Sequence, residues 1–267
     1  MIAGDRSPAV PFGGYFVQAW AVAAAEVTKL RHDPVELISR AVQPILWLLL
    51  FGNVMAQVHG LVSPNASYID FLAPGILAQS VLFVAIFYGL SAIWERDLGV
   101  LQRYMVSPAP RSALVAGKAL ASSVRGLSQA VVIYGCSALM GVRLQLAPGH
   151  VALVIAFIVL ASALFSTFSL IIACIVKTRE RFMGVGQFLT MPIFFASNAI
   201  YPLSMMPVWL RIVARANPLS YEVDALRGLM LQGGRAQFGI ATDLLVLVIG
   251  VGVLTVIATR LYPRLTR

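Results

Sequence analysis

Few side chains in this sequence could do chemistry. Only 12% of its 267 residues are charged, about half of the roughly 25% usual in soluble domains. The histidines, His32, His59 and His150, lie far apart and none stands near a cysteine at metal-ligand spacing, so neither a metal site nor a Ser-His-Asp arrangement has a motif behind it. The nearest approach to a nucleotide site is Gly117-Lys118 in "AGKAL". A phosphate loop needs a glycine five residues earlier and Ser or Thr after the lysine, and those positions hold Ser112 and Ala119. One charged stretch is "ERDLGVLQRYMVSPAPRS", residues 95–112, where Glu95, Arg96, Asp97, Arg103 and Arg111 stand between two long apolar runs. Those residue types suit ion pairing and docking. Catalytic and metal-binding residues are accordingly expected to be none, and the chain is read as a non-enzyme.

Hydrophobic residues make up 59% of the chain and mean hydropathy is +0.85. Crossing a hydrocarbon core of roughly 30 Å takes about 20 residues. Six spans are expected, at about 41–58, 70–94, 120–142, 151–176, 184–200 and 242–259, in a single all-α transmembrane domain over 1–267. Pro44 falls near the start of the first span, where a missing amide donor costs least. The third begins wet, with Lys118 and Arg125 read as snorkelling to headgroups. The fourth is uncharged and rich in small residues, "LASALFSTFSLIIAC", as expected where helices approach closely in lipid. Before the first span, Phe16, Trp20, Ala23, Val27 and Leu30 step by four and three. They predict an amphipathic helix over 16–30 lying in the membrane interface, with Trp20 as anchor and Lys29 toward anionic headgroups; a helix packed on protein is the other reading. The N-terminus has no basic-then-apolar-then-cleavage pattern and is expected to be retained.

The net charge of +9 follows membrane topology, because fifteen of the twenty Lys and Arg fall in alternate connections and five in the others. Both termini are expected on the cytoplasmic side, and no nucleic-acid partner is implied. Cys136 and Cys174 lie in separate spans toward opposite faces, about 20 Å apart, too far for a disulfide. The middles of the spans hold no Asp, Glu, Lys, Arg or His, which disfavours an ion-coupled carrier.

Two segments resist the simple pattern. Residues 201–234 are apolar but contain Arg211, Arg215, Glu222, Asp224 and Arg227, and each charge costs roughly 2.5–3.5 kcal/mol at the bilayer centre. A pair of short re-entrant helices broken at Asn217-Pro218 is expected, with Asn217 as N-cap and Pro218 at the first helical position; a surface loop is the other reading. In 95–112, the apolar residues Leu98, Leu101 and Met105 recur at helical spacing, and Pro108 and Pro110 stop the helix. Such a helix can dock in a partner's groove; a solvated connector is the alternative.

"FLAPGILAQS", "ERDLGVLQRYMVSPAPRSALVAGKALA" and "NPLSYEVDALRGLML" together resemble the type-2 ABC transporter permeases, particularly the bacterial drug-resistance and nodulation-factor exporter branch. The resemblance implies a membrane subunit in the bacterial cytoplasmic membrane, paired with a second permease copy or a sister permease and with two copies of an ATP-binding ATPase. ATP and Mg would sit on that partner, with no cofactor bound by this chain. The segment after the second span would be the coupling helix against the ATPase, comprising Glu95, Arg96, Asp97, Gly99, Leu101, Arg103, Met105, Pro108 and Arg111. The broken helices, with Asn217, Pro218, Tyr221, Asp224 and Arg227, would form an outer gate. Cargo is expected to be a hydrophobic drug or natural product, or alternatively a lipid-linked glycan.

Overall fold

The computed structural model describes residues 24, 28, 39, 42–56, 67–99, 111–176 and 178–262. Among them the chain is helical, with a single isolated bridge, Leu144 to Leu231, in place of any sheet. Helix α1 covers Val42–Met55 and winds as a π-helix over Trp47–Phe51. Helix α2 is Tyr68–Tyr88 and α3, Leu90–Asp97, continues it past Gly89. Then come α4, Arg111–Leu139, α5, Pro148–Val176, and α6, Arg179–Phe195. A 3-10 turn at Leu203–Met205 leads to two short helices, α7, Val208–Ala216, and α8, Pro218–Met230. Helix α9, Ile240–Leu261, ends the described chain.

Three of these helices are long and apolar enough to cross a membrane: Tyr68–Asp97, Pro148–Val176 and Ile240–Leu261. Helices α1, α4 and α6 stand where the other spans were expected. At 1.5 Å per residue, α7 and α8 reach only about 14 and 20 Å, so the charged segment is two broken helices and not a crossing.

The core follows from which helices are apolar all round. Helix α2 is buried along most of its length, from Leu72 to Ile86, and α5 packs against α2, α4, α8 and α9. Small side chains on α5, among them Ala161, Ser162, Ser166 and Ser169, are buried at these contacts. They let backbones approach, which matters because lipid supplies no hydrophobic drive between helices. The Ser169 hydroxyl donates to the Ile86 carbonyl of α2, and Ser123 of α4 donates to Val159 O at 3.2 Å. Outward faces carry Leu50, Val131, Leu139 and Phe188, each exposed by more than 60%, as suits hydrocarbon contact. Cys136 and Cys174 are both free thiols.

Candidate functional site

Two clusters of polar side chains stand at opposite ends of the bundle. The first lies where α3, α4 and α6 meet. Glu95 accepts from Lys118 Nζ through both carboxylate oxygens at 2.8 Å, tying α3 to α4. Asp97 accepts from Arg96 at 2.7 Å and pairs with Arg179 at 2.9 Å, tying α3 to α6. The Arg179 guanidinium also lies 4.1 Å from the centre of the Trp94 ring, a cation–π contact. Lys118 Nζ and the Arg125 guanidinium lie 6.0 and 5.3 Å from the Tyr88 ring. The Lys118 side chain is only 12% exposed, so it serves an ion pair and not the snorkelling role its sequence position suggested. Opposite charges at matching depth on successive helices were the signal for this pairing.

This geometry redraws the polar stretch. Glu95, Arg96 and Asp97 form the last turn of α3, and Arg111 opens α4, so the connection is 98–110 and not 95–112. Hydropathy marks where the hydrocarbon ends; the helix runs on because its last turn is held by ion pairs. Leu98 caps α3 and is 71% exposed. Gly99 follows at φ +70°, a left-handed conformation that ends the helix and that glycine adopts without steric cost. Of the apolar residues whose spacing suggested a docking helix, Leu98 alone is described. Leu101, Arg103, Met105 and Pro108, like Phe16, Trp20 and Lys29, lie outside the described residues. Within 16–30, Ala24 and Thr28 are described; both are helical, with Thr28 Oγ1 donating to Ala24 O at 3.0 Å.

The second cluster surrounds the break between α7 and α8. Asn217 Oδ1 accepts from the Leu219 amide at 3.0 Å, capping α8, and Pro218 takes the first helical position. The Asn217 amide donates to Ile193 O at 2.6 Å and Ala196 O at 3.1 Å, carbonyls at the end of α6. One side chain thus caps one helix start and one helix end. Tyr221 donates to Arg215 O at 2.7 Å and its ring centre is 4.8 Å from that of Phe238. Asp224 accepts from the Phe238 amide at 2.8 Å. Arg227 donates to Asn198 O at 2.9 Å and lies 3.8 Å from the Phe71 ring centre. Arg211 likewise donates to Leu203 O and Met206 O, each at 3.1 Å. Here charges satisfy backbone groups that the irregular 196–207 segment cannot satisfy itself. Tyr68 at the start of α2 donates to Ile200 O at 2.9 Å, locking that segment onto α2.

Sequence reading missed the partners of these groups, which lie up to 156 residues away. It also missed that Glu222 and Asp243 are fully buried with carboxylate oxygens that accept no hydrogen bond. Their only signal was their presence in otherwise apolar segments.

The family model described as "ABC-2 type transporter" matches residues 17–231. The chain is 31% identical over 203 residues to a protein of Cyanophora paradoxa named as a transport permease, ycf38, covering 74% of this chain and 69% of that one. It is 28% identical over 202 residues to the daunorubicin resistance ABC transporter permease protein DrrB1 of Streptomyces coeruleorubidus, covering 75% and 70%. A Mycobacterium tuberculosis protein named as a doxorubicin resistance ABC transporter permease, DrrC, is 27% identical over 214 residues, covering 78% and 74%. The chain belongs to the ABC-2 type transporter family, as the multi-pass membrane permease component of an ABC transporter.

Proposed function

We propose that this permease exports hydrophobic drugs or natural products across the bacterial cytoplasmic membrane. It works as a pair of permeases with two ATPase copies that bind ATP and Mg, with both termini and the Glu95 end on the cytoplasmic side. The charge count supports that orientation. Relatives named for daunorubicin and doxorubicin resistance support the drug reading over a glycan cargo.

The observation that carries the mechanism is the cluster at the root of the 98–110 connection. When ATP closes the partner dimer, a push on this connection is delivered to α4 through Glu95–Lys118 and to α6 through Asp97–Arg179. Helix α6 ends at the carbonyls held by Asn217, so its displacement reaches the broken helices, which open as the outer gate. Glu95, Arg96 and Asp97 then act as positioning residues; the ATPase is touched by the connection itself.

The test is the double variant Glu95→Gln, Asp97→Asn in the assembled transporter. ATP hydrolysis should persist while transport per ATP falls within the roughly 5- to 150-fold range of ordinary site-to-site coupling. Unchanged transport per ATP overturns the mechanism.

A further inference from the structure

Away from both clusters, a cavity of about 270 Å³ opens between α1, α2 and α4, lined by Gln43, Gln79, Ser80, Phe83, Phe87 and Gln129 among others. Gln79 and Gln129 are 4% and 1% exposed. The side-chain carbonyl oxygen of each is buried with no hydrogen-bond partner. A buried acceptor left unmade costs free energy, so these two amides are organised for a donor that arrives from elsewhere. None of the described lining residues is charged, so among them a charged guest finds no ion-pair partner.

The depth follows from the Glu95–Lys118 pair, which fixes a common level on the continuous α2–α3 rod and on α4. At 1.5 Å per residue, Phe87 stands about 12 Å above that level, Gln129 about 16 Å and Gln79 about 24 Å. The lining residues of α2 and α4 thus stand between about 12 and 24 Å from the charged end, toward the middle of the bundle. Gln79 and Ser80 lie deepest on α2. Phe87 stands nearest that level, and Phe83, about 18 Å above it, falls between Gln129 and Gln79, so aromatic and amide side chains alternate along the cavity.

The geometry points to this cavity as a cargo subsite that takes an uncharged aromatic molecule bearing N–H or O–H donors. Its volume sits near the lower end of ligand pockets, roughly 300–1,000 Å³, so it holds one ring system or the leading part of a larger compound. This assignment rests on the exporter reading for its role in transport, but binding itself does not require ATP.

The experiment uses the full-length chain, purified from its own membrane with its transporter partners into lipid nanodiscs. Equilibrium dialysis against empty nanodiscs measures three naphthalene probes: uncharged dansyl amide, anionic dansylglycine and cationic dansylcholine. Dansyl amide should bind saturably, with each charged probe at least about tenfold weaker, and Gln129→Leu should weaken dansyl amide about tenfold. Gln79→Asn, which keeps the amide and shortens its reach, should weaken binding as well and serves if the first variant does not fold. Absence of saturable binding, equal binding of a charged probe, or indifference to both substitutions overturns the proposal. ATP-driven movement of dansyl amide in wild-type vesicles is scored separately. Inward or absent movement with intact binding defeats the exporter reading and leaves the site standing.

Discussion

The two ends of the bundle use charge in opposite ways. At the α3–α4–α6 junction, charges meet charges: Glu95 with Lys118, Asp97 with Arg96 and Arg179, all partly open to solvent. At the α7–α8 break, charges meet backbone: Arg211 and Arg227 hold carbonyls, Asp224 holds an amide, and Asn217 holds both kinds. Side-chain pairs in a wet setting can exchange partners at little cost, because each is worth about 0–1 kcal/mol. Buried backbone groups have no substitute partner, so each loss costs about 1–3 kcal/mol. One end is built to exchange partners and the other to keep its internal shape, moving as one piece in the proposed gating.

That contrast can be broken most sharply at Arg227. Replacing it with Leu strips Asn198 O of its donor and leaves Asp224 without its neighbouring cation. A loss of about 3–5 kcal/mol is expected, read as failure to recover monodisperse protein or a steep fall in thermal unfolding temperature. Arg227→Lys should rescue only part, since an ammonium lacks the planar fork. A variant as stable as wild type would end the claim that this end is fixed by its charges.

A smaller effect is expected at Gly75 of α2. A Cβ there would collide with Ala199 O, so Gly75→Ala must displace the 196–202 segment, at about 1–3 kcal/mol by analogy with overpacked cores. Hydrogen exchange should loosen at Ile200 and leave the Glu95 end unchanged; loosening at both ends would mean the ends are not separable.

Asn217 sharpens the comparison further. Asn217→Ala removes a cap and two donors, for about 1–2 kcal/mol. Asn217→Asp keeps the capping oxygen but turns a carboxylate toward Ile193 O and Ala196 O. It should be no more stable than the alanine variant in thermal melts. If Asp behaves as wild type, capping alone matters and the tie to α6 does not.

The smallest stability effect belongs to Glu95→Gln, at most about 1 kcal/mol, and Lys118→Glu combined with Glu95→Lys should recover transport lost in either single exchange. Denaturation midpoints check the first point and transport assays the second. A stability loss as large as that of Arg227→Leu would show the two ends to be alike.

The sequence exposed the second cluster better than the first. Asn217-Pro218 is a local signal, since a cap and a helix-starting proline act on the residues beside them, and the break falls there. Charge cost in lipid was enough to deny residues 201–234 a crossing. The first cluster depends on helices that meet only after folding, so Lys118 read as a lipid anchor and Glu95 as part of a loop. Spacing alone also does not register the left-handed Gly99 at which α3 ends. The Gln79–Gln129 cavity left no trace at all: two amides 50 residues apart in apolar helices look like ordinary span residues.

Helix α9 carries one more consequence. Its buried positions are few, Asp243, Leu247 and Ala258, while Leu244, Leu245, Val248, Ile249, Val253, Val256 and Ile257 face outward. Where those outward positions meet hydrocarbon they ask for oiliness and nothing more specific, so Leu, Ile, Val and Phe should be interchangeable there with little effect on folding. A randomised library over α9 would consequently return a highly degenerate face, with Asp243, Leu247, Ala258 and Gly250, whose added Cβ would meet Leu164, nearly invariant.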